Sequence, residues 1–431
     1  MTGEQIGMPT VSSAASTESL LFHTLLQLIF IMLAARVMGS VFVRLQQPCG
    51  VGEIVAGLLL GPTLFGALAP EGFRWLFLTV DPAPLQLLSQ IGLILLMFQV
   101  GMEFDFALLG DRTNRRVAAL VAMTGIVIPS LCGWGFGQLS ADRLAPGISV
   151  PAYSLFIAIA LSITAVPILG RILMEFGLTR NRIGVISIAA AAANDALGWV
   201  LLAAVAAVAT HGFEPYAVLR QLGGLLIYLI TSWYLLRPLL LCLLRFFPLE
   251  SGRLPENLLA LLLIWVFGSA LITSWLGIFA IFGGFVAGVL LHQSHALVQA
   301  WRQRVGDLLA VFFLPIFFTY TGLRTDVGSL NTGEDWLWCA VLMAVAMLGK
   351  FGGCYGAARV GGLTPAESRC IGILMNTRAL MELIVINLGR DLGVIPAKVF
   401  TMLVLMAVVS TLITAPGLRL WLPAALAGNR R

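Results

Sequence analysis

The sequence predicts an all-α polytopic membrane protein of about thirteen transmembrane helices, built as two inverted six-helix repeats with crossed, unwound helices. Three observations carry that prediction. Hydrophobic residues fill 59% of the 431 positions against 11% charged, and mean hydropathy is +0.95, far above what a soluble core of this size uses. Apolar runs near spanning length recur along the whole chain. Two pairs of those runs resemble each other across the halves of the chain.

Residues 1–18, "MTGEQIGMPTVSSAASTE", are polar and have no basic segment, so they read as an N-terminal tail and not as a cleaved signal. Spans follow at roughly 19–44, 49–68, 85–105, 117–139, 152–174, 183–210, 217–245, 257–274, 277–292, 305–324, 335–358, 367–389 and 397–421, and 422–431 forms a short cytosolic tail. Arg112, Arg115, Arg116, Arg180, Arg182, Arg302 and Arg304 gather on one side of those spans. Basic loops mark the inner face, which puts the N-terminus outside and the C-terminus in the cytoplasm, in a bacterial inner or plasma membrane. Orientation therefore explains the net charge of +5, and no nucleic-acid partner is expected. The six cysteines lie apart in or beside apolar runs, where they act as small apolar fillers.

The segment "EIVAGLLLG" (53–61) resembles "GGFVAGVLL" (283–291), and "LMFQVGMEFD" (96–105) resembles "FFTYTGLRTD" (317–326). This pairing sets the second and third spans against the ninth and tenth. It divides the chain into a first repeat over 19–210, a linker helix and loop over 211–256, and a second repeat over 257–421. A single linker span after an even-numbered unit makes the second copy enter from the opposite side. Secondary transporters of that architecture place broken helices and a solute site near the bilayer midplane.

The fifth and twelfth spans carry the expected breaks. Setting "LSITAVPI" (161–168) against "LMNTRALM" (374–381) brings Thr164 opposite Thr377, with polar residues at one depth in both. Pro167 has no N–H to donate and crowds the preceding turn, so the helix should unwind around Thr164, Ala165 and Val166. Asn376 and Thr377 mark the second break. Backbone groups freed in a bilayer persist only where they line protein or a wet cavity. A plain proline kink satisfied by neighbouring helices is the alternative for the fifth span.

Charged residues in the spans narrow the site. Asp195 lies in the middle of "IAAAAANDALGWVLLAAV" (188–205), a depth at which an ionisable group is costly and so marks a function. Lys350 is mid-span in the eleventh run, in a chain whose basic residues, Lys398 apart, are otherwise arginines. Lysine can lose its proton when desolvated and arginine cannot; an orientation charge or an ion pair with Asp195 is the other reading. Arg378 and Glu382 lie four apart on the twelfth span and can pair on one face, either to hold the break together or to meet an ion. Glu53 reads as structural, Asp105 and Asp326 as interfacial, and His292 and His295 as loop residues. No nucleophile–base pair or transition-metal cluster stands out, so neither an enzyme nor a bound cofactor is expected.

With these residues in place, the chain resembles the monovalent cation:proton antiporters, the family of Kef-type potassium efflux proteins, Na+/H+ exchangers and plant cation/H+ exchangers. The matching segments are "GEIVAGLLLGPTLFG" (52–66), "LILLMFQVGMEFD" (93–105), "SITAVPILGRIL" (162–173), "AANDALGWVLLA" (192–203), "FFLPIFFTYTGLRTD" (312–326) and "MNTRALMELIVINLG" (375–389). The resemblance implies the Na+/H+ antiporter-like elevator fold, a scaffold plus a core with crossed unwound helices, in a homodimer. It carries the ion- and proton-binding role onto Asp195, and the core basic positions onto Lys350 and Arg378. Asn194 stands where many electrogenic members have Asp, and with Trp199 it is nearest the plant exchangers.

The function expected is exchange of K+ or Na+ for H+, electroneutral at one to one. Asp195, Asn194, Thr164 and Ser162 form the ion and proton site, and Lys350, Arg378 and Glu382 are the core charges. Lipids, monovalent cations, protons and a second copy of the chain are the partners. The competing readings are a sodium-coupled symporter of an organic anion, with Arg378 as its receptor, and a passive channel or sensor.

Overall fold

A computed structural model describes residues 11–103, 112–178, 181–211, 215–245, 254–277, 279–378 and 380–428, and those residues form helices with no strand among them. Among the described residues, eight helices are long and apolar enough to cross a membrane, and a pair bent by 46°, Ala296–Gly306 with Leu309–Ser329, would make a ninth. The all-helical polytopic architecture is the one the sequence predicts. Among the described residues the runs 152–174 and 367–389, each expected as one interrupted span, are pairs of half-helices, and 277–292 holds a helix of 10 residues.

The helices used below are α1 (Val11–Arg44), α2 (Cys49–Leu60), α3 (Ala83–Met102), α4 (Arg112–Leu144), α5 (Val150–Ser162), α6 (Val166–Glu175), α7 (Arg182–His211), α8 (Pro215–Thr231), α9 (Glu256–Trp275), α10 (Ala280–Val289), α11 (Leu314–Leu323), α12 (Gly333–Val360), α13 (Pro365–Met375), α14 (Leu380–Asp391) and α15 (Ala397–Gly428). α1 starts at Val11, inside the stretch expected to be a polar tail. Local chemistry sets several other starts. Thr332 and Asp335 close a capping box on α12, and Thr364 with Glu367 does the same on α13, each satisfying backbone donors that the first turn leaves free.

Glycines set two helix crossings. A side chain at Gly57 of α2 would run into the Phe318 carbonyl of α11, and one at Gly322 of α11 into the Gly57 carbonyl. In the other pair, Gly288 of α10 faces the Phe98 carbonyl of α3 and Gly101 of α3 faces the Phe285 carbonyl of α10. Backbones meet this closely only where Cβ is missing. The partners are reciprocal: each member of the two similar sequence pairs packs on the counterpart of the other. The largest apolar cluster runs through α4–α7 and α12–α15, and a second gathers α3, α9 and α10 around the buried Trp301. The candidate site lies in the first.

Candidate functional site

The first break falls at Ile163, Thr164 and Ala165, whose backbone is extended or irregular between the end of α5 at Ser162 and the start of α6 at Val166. It lies one residue earlier than expected, and Val166 is already helical. Pro167 is in the first turn of α6 and so begins the second half-helix; a missing N–H costs nothing there, because first-turn donors have no helical partner. The Pro167 side chain lies outside the described residues. The second break runs from Asn376 to Arg378, between α13 and α14.

The two breaks touch. Ala165 N–H donates to the Thr377 carbonyl at 2.9 Å, and the Thr164 hydroxyl donates to the Met375 carbonyl at 3.3 Å. Each break thus supplies partners for backbone groups that the other leaves free. Their side chains are sealed: Ser162, Thr164, Asn376, Thr377, Arg378 and Glu382 are all at most 1% exposed.

Two buried cations finish the end of α5. The last carbonyls of a helix have no intrahelical donor and carry the negative end of its dipole. Here the Ser162 hydroxyl donates to the Ile159 carbonyl at 2.8 Å and Arg378 Nη1 to the Ala160 carbonyl at 3.4 Å, while Lys350 Nζ reaches the Ser162 carbonyl. Lys350 also donates to the Gly125 carbonyl of α4 at 2.8 Å. Arg378 forms the expected pair with Glu382 at 3.4 Å and donates to the Ala346 carbonyl of α12 at 3.0 Å. Its backbone N–H meets the Thr411 hydroxyl of α15 at 3.3 Å.

Asn194 and Asp195 lie on α7. Asn194 is wholly buried, and neither its Oδ1 nor its Nδ2 has a hydrogen-bond partner among the described residues. The Asp195 side chain lies outside the described residues, as do the side chain of His295 and all of Asp105. Asn376 Oδ1 and Thr377 Oγ1 are likewise buried without a partner. Buried oxygens left bare in this way are costly unless something fills their lone pairs.

The remaining sequence candidates sit away from the crossing. Glu53 is buried at the α1–α2 contact, 3.9 Å from Arg36 Nη1. Asp326 accepts from Gly328 N–H at 2.9 Å in an exposed turn, and His292 donates to the Val289 carbonyl at 2.7 Å. A cavity of about 380 Å³ opens between α3, α9, α10, α11 and α14, lined in part by Ser89, Tyr320, Ile384, Asn387 and Asp391. Two of its lining residues are held by Arg324, which donates to Asp391 at 2.6 Å and to Asn387 at 3.1 Å. Asn387 in turn donates to the Thr321 hydroxyl at 2.7 Å, which ties α14 to α11.

Sequence reasoning missed Gly125 and Thr411, and it did not foresee that carbonyls would be the acceptors for Lys350 and Arg378. The one signal for Thr411 was a polar run, Ser410, Thr411 and Thr414, inside an apolar helix, all three wholly buried.

The profile of the sodium/hydrogen exchanger transmembrane family matches residues 28–423. The chain is 39% identical over 394 residues to Na(+)/H(+) antiporter NhaS4 of Synechocystis sp., covering 91% of this chain and 95% of that one. It is 32% identical over 398 residues to Cation/H(+) antiporter 19 of Arabidopsis thaliana, and 32% over 407 residues to K(+)/H(+) antiporter 1 of Saccharomyces cerevisiae. Both matches cover 91% of this chain, and the chain spans just under half of each relative, 48% and 45%. The fold is similar to that of the sodium proton antiporter MjNhaP1 from Methanocaldococcus jannaschii, with a TM-score of 0.65, 15% identity, and coverage of 92% of this chain and 99% of that one.

Proposed function

The chain belongs to the sodium/hydrogen exchanger family, and from that premise we propose that it exchanges one monovalent cation, K+ or Na+, for one proton at a site shared on Asp195. A carboxylate holds either a proton or a dehydrated alkali cation, and competition for it couples the two fluxes with no covalent step. One observation supports the place: Asn194 Oδ1, Asn376 Oδ1 and Thr377 Oγ1, on the residue before Asp195 and at the second break, are buried with no hydrogen-bond partner among the described residues. Oxygen atoms that can replace a hydration shell are what a desolvated alkali cation requires. Thr164 and Ser162 add hydroxyls at the crossing. Lys350 and Arg378 offset the negative end of α5, so a carboxylate and a bare cation can alternate nearby without an uncompensated charge.

Asn194, in place of a second carboxylate, supports one-to-one exchange with no net charge moved. The guanidinium of Arg378 is held by Glu382 and two carbonyls, which disfavours its use as a receptor for an organic anion. The reciprocal packing of α2 on α11 and α10 on α3 supports two inverted repeats over 19–210 and 257–421, joined by the linker 211–256. The working form is a homodimer in a bacterial inner or plasma membrane, N-terminus outside, moving its core against the scaffold as an elevator. In that orientation the 380 Å³ cavity faces the outside.

The test is reconstitution into liposomes with an acid interior and a pH dye, at clamped membrane potential, with K+, Na+, Li+ and Rb+ added in turn. Cation-dependent proton efflux that disappears in Asp195→Asn, with the variant still folded, is the expected result. Efflux near the wild-type rate in Asp195→Asn would remove Asp195 from the mechanism.

A further inference from the structure

The 380 Å³ cavity is a cleft between two groups of packed helices. α11 packs on α2 and α3, whereas α14 packs on α15 and α5. Ser89, Phe317 and Tyr320 contribute to one wall, and Ile384, Asn387 and Asp391 of α14 form the other. Polar side chains bridge the two walls. Arg324, which caps the end of α11, donates to Asp391 at 2.6 Å and to Asn387 at 3.1 Å, and Asn387 donates to the Thr321 hydroxyl at 2.7 Å. The same guanidinium lies over the Phe400 ring of α15, 5.8 Å from its centre, and the Thr401 hydroxyl of α15 donates to the Asp326 carbonyl at 3.4 Å. Arg324 itself is anchored to the first group, because Gly322, two residues before it, packs against the Gly57 carbonyl of α2.

We propose that Arg324 is a positioning residue, a latch on α14 that favours the arrangement whose cavity opens to the outside. This inference rests on the exchange and elevator readings above. α14 directly follows the second break, so the height of α14 in the membrane sets the height of Asn376 and Thr377. A slide of the core along the membrane normal, with α11 kept on α2, carries Asp391 and Asn387 away from Arg324. Contacts made in one arrangement and lost in the other bias the equilibrium toward the first. The Arg324 and Asp391 side chains are 18% and 41% exposed, which keeps that bias small. A small bias suits a tie that has to break and re-form in every transport cycle.

The experiment measures the cation KM from each side, in right-side-out and everted vesicles of cells that lack other cation/proton exchangers, with the full chain expressed. The apparent affinity on each side scales with the fraction of protein open to that side. In Arg324→Gln the outside KM is therefore expected to rise and the inside KM to fall, so that their ratio rises about fivefold. Asp391→Asn moves the ratio the same way from the other wall, the double variant goes little further than either single one, and Arg324→Lys, which keeps the charge, recovers part of the shift. Lys398→Met is the control: Lys398 bonds Asp335 at 2.9 Å and joins α15 to α12 within one group, so its loss leaves the ratio at the wild-type value. An unchanged or lowered ratio in Arg324→Gln and Asp391→Asn overturns the inference, and so does an equal change of KM on both sides, which is the mark of a packing defect. Should Arg324→Gln fail to fold, Asp391→Asn decides alone. Absence of cation-driven proton flux in the wild type would instead overturn the exchange reading, and that arm is read before any ratio is formed.

Discussion

Arg378→Met takes away a guanidinium that contacts Glu382 at 3.4 Å, the Ala160 carbonyl at 3.4 Å and the Ala346 carbonyl at 3.0 Å, all in a fully buried setting. The larger loss is electrostatic. Leaving Glu382 as an uncompensated buried carboxylate costs about 3–5 kcal/mol, and each carbonyl without another donor adds about 1–3 kcal/mol. Replacing both members of a buried pair by apolar residues of similar volume is often neutral. Arg378→Met combined with Glu382→Met should therefore recover at least about 2 kcal/mol relative to Arg378→Met alone. Arg378→Lys keeps the charge but replaces two nitrogens, each on its own carbonyl, with one on a shorter side chain, so it should fall between wild type and Arg378→Met. The assay is unfolding of the purified protein in one detergent, read as a double-mutant cycle. A double variant as unstable as Arg378→Met would show that the orphaned carboxylate is not the source of the loss, and would refute the pairing as what holds the second break.

Gly322→Ala puts a methyl against the Gly57 carbonyl and should destabilise by about 1–3 kcal/mol or more, while Gly356→Ala, which meets nothing within 4 Å, should be neutral or slightly stabilising in the same unfolding assay. Thr332→Ala removes one half of the α12 capping box and should cost about 1 kcal/mol, visible as a lower unfolding midpoint with transport intact. Asp391→Asn breaks the 2.6 Å pair with Arg324, but the Asp391 side chain is 41% exposed, so its stability cost should stay within about 1 kcal/mol and shrink further in high salt.

The all-helical membrane fold and both breaks were legible because they rest on local chemistry: apolar runs of spanning length, interrupted by Thr164 and Pro167 in one and by Asn376, Thr377 and Arg378 in the other. The Arg378–Glu382 pair was legible for the same reason, since four residues bring two side chains onto one helix face. The exact place of the first break was not, because a proline can end one helix or begin the next. Lys350 and Arg378 reach backbone carbonyls at Ser162 and Ala160, 188 and 218 positions away in sequence, and no side-chain pattern records such acceptors. Gly125 was invisible for a related reason. Its backbone carbonyl accepts from Lys350, 225 positions away in sequence, and it becomes an acceptor only when α4 and α12 are packed together.

The central claim is that cation and proton compete for one carboxylate, and the most direct measurement of it is the cation KM against pH on the same side of the liposome membrane. Competition predicts that once the site is mostly protonated, each further unit of acidification raises the cation KM by about tenfold while the maximal rate at saturating cation is unchanged. A KM that stays flat across that range while the maximal rate falls would place the proton elsewhere and contradict the shared site.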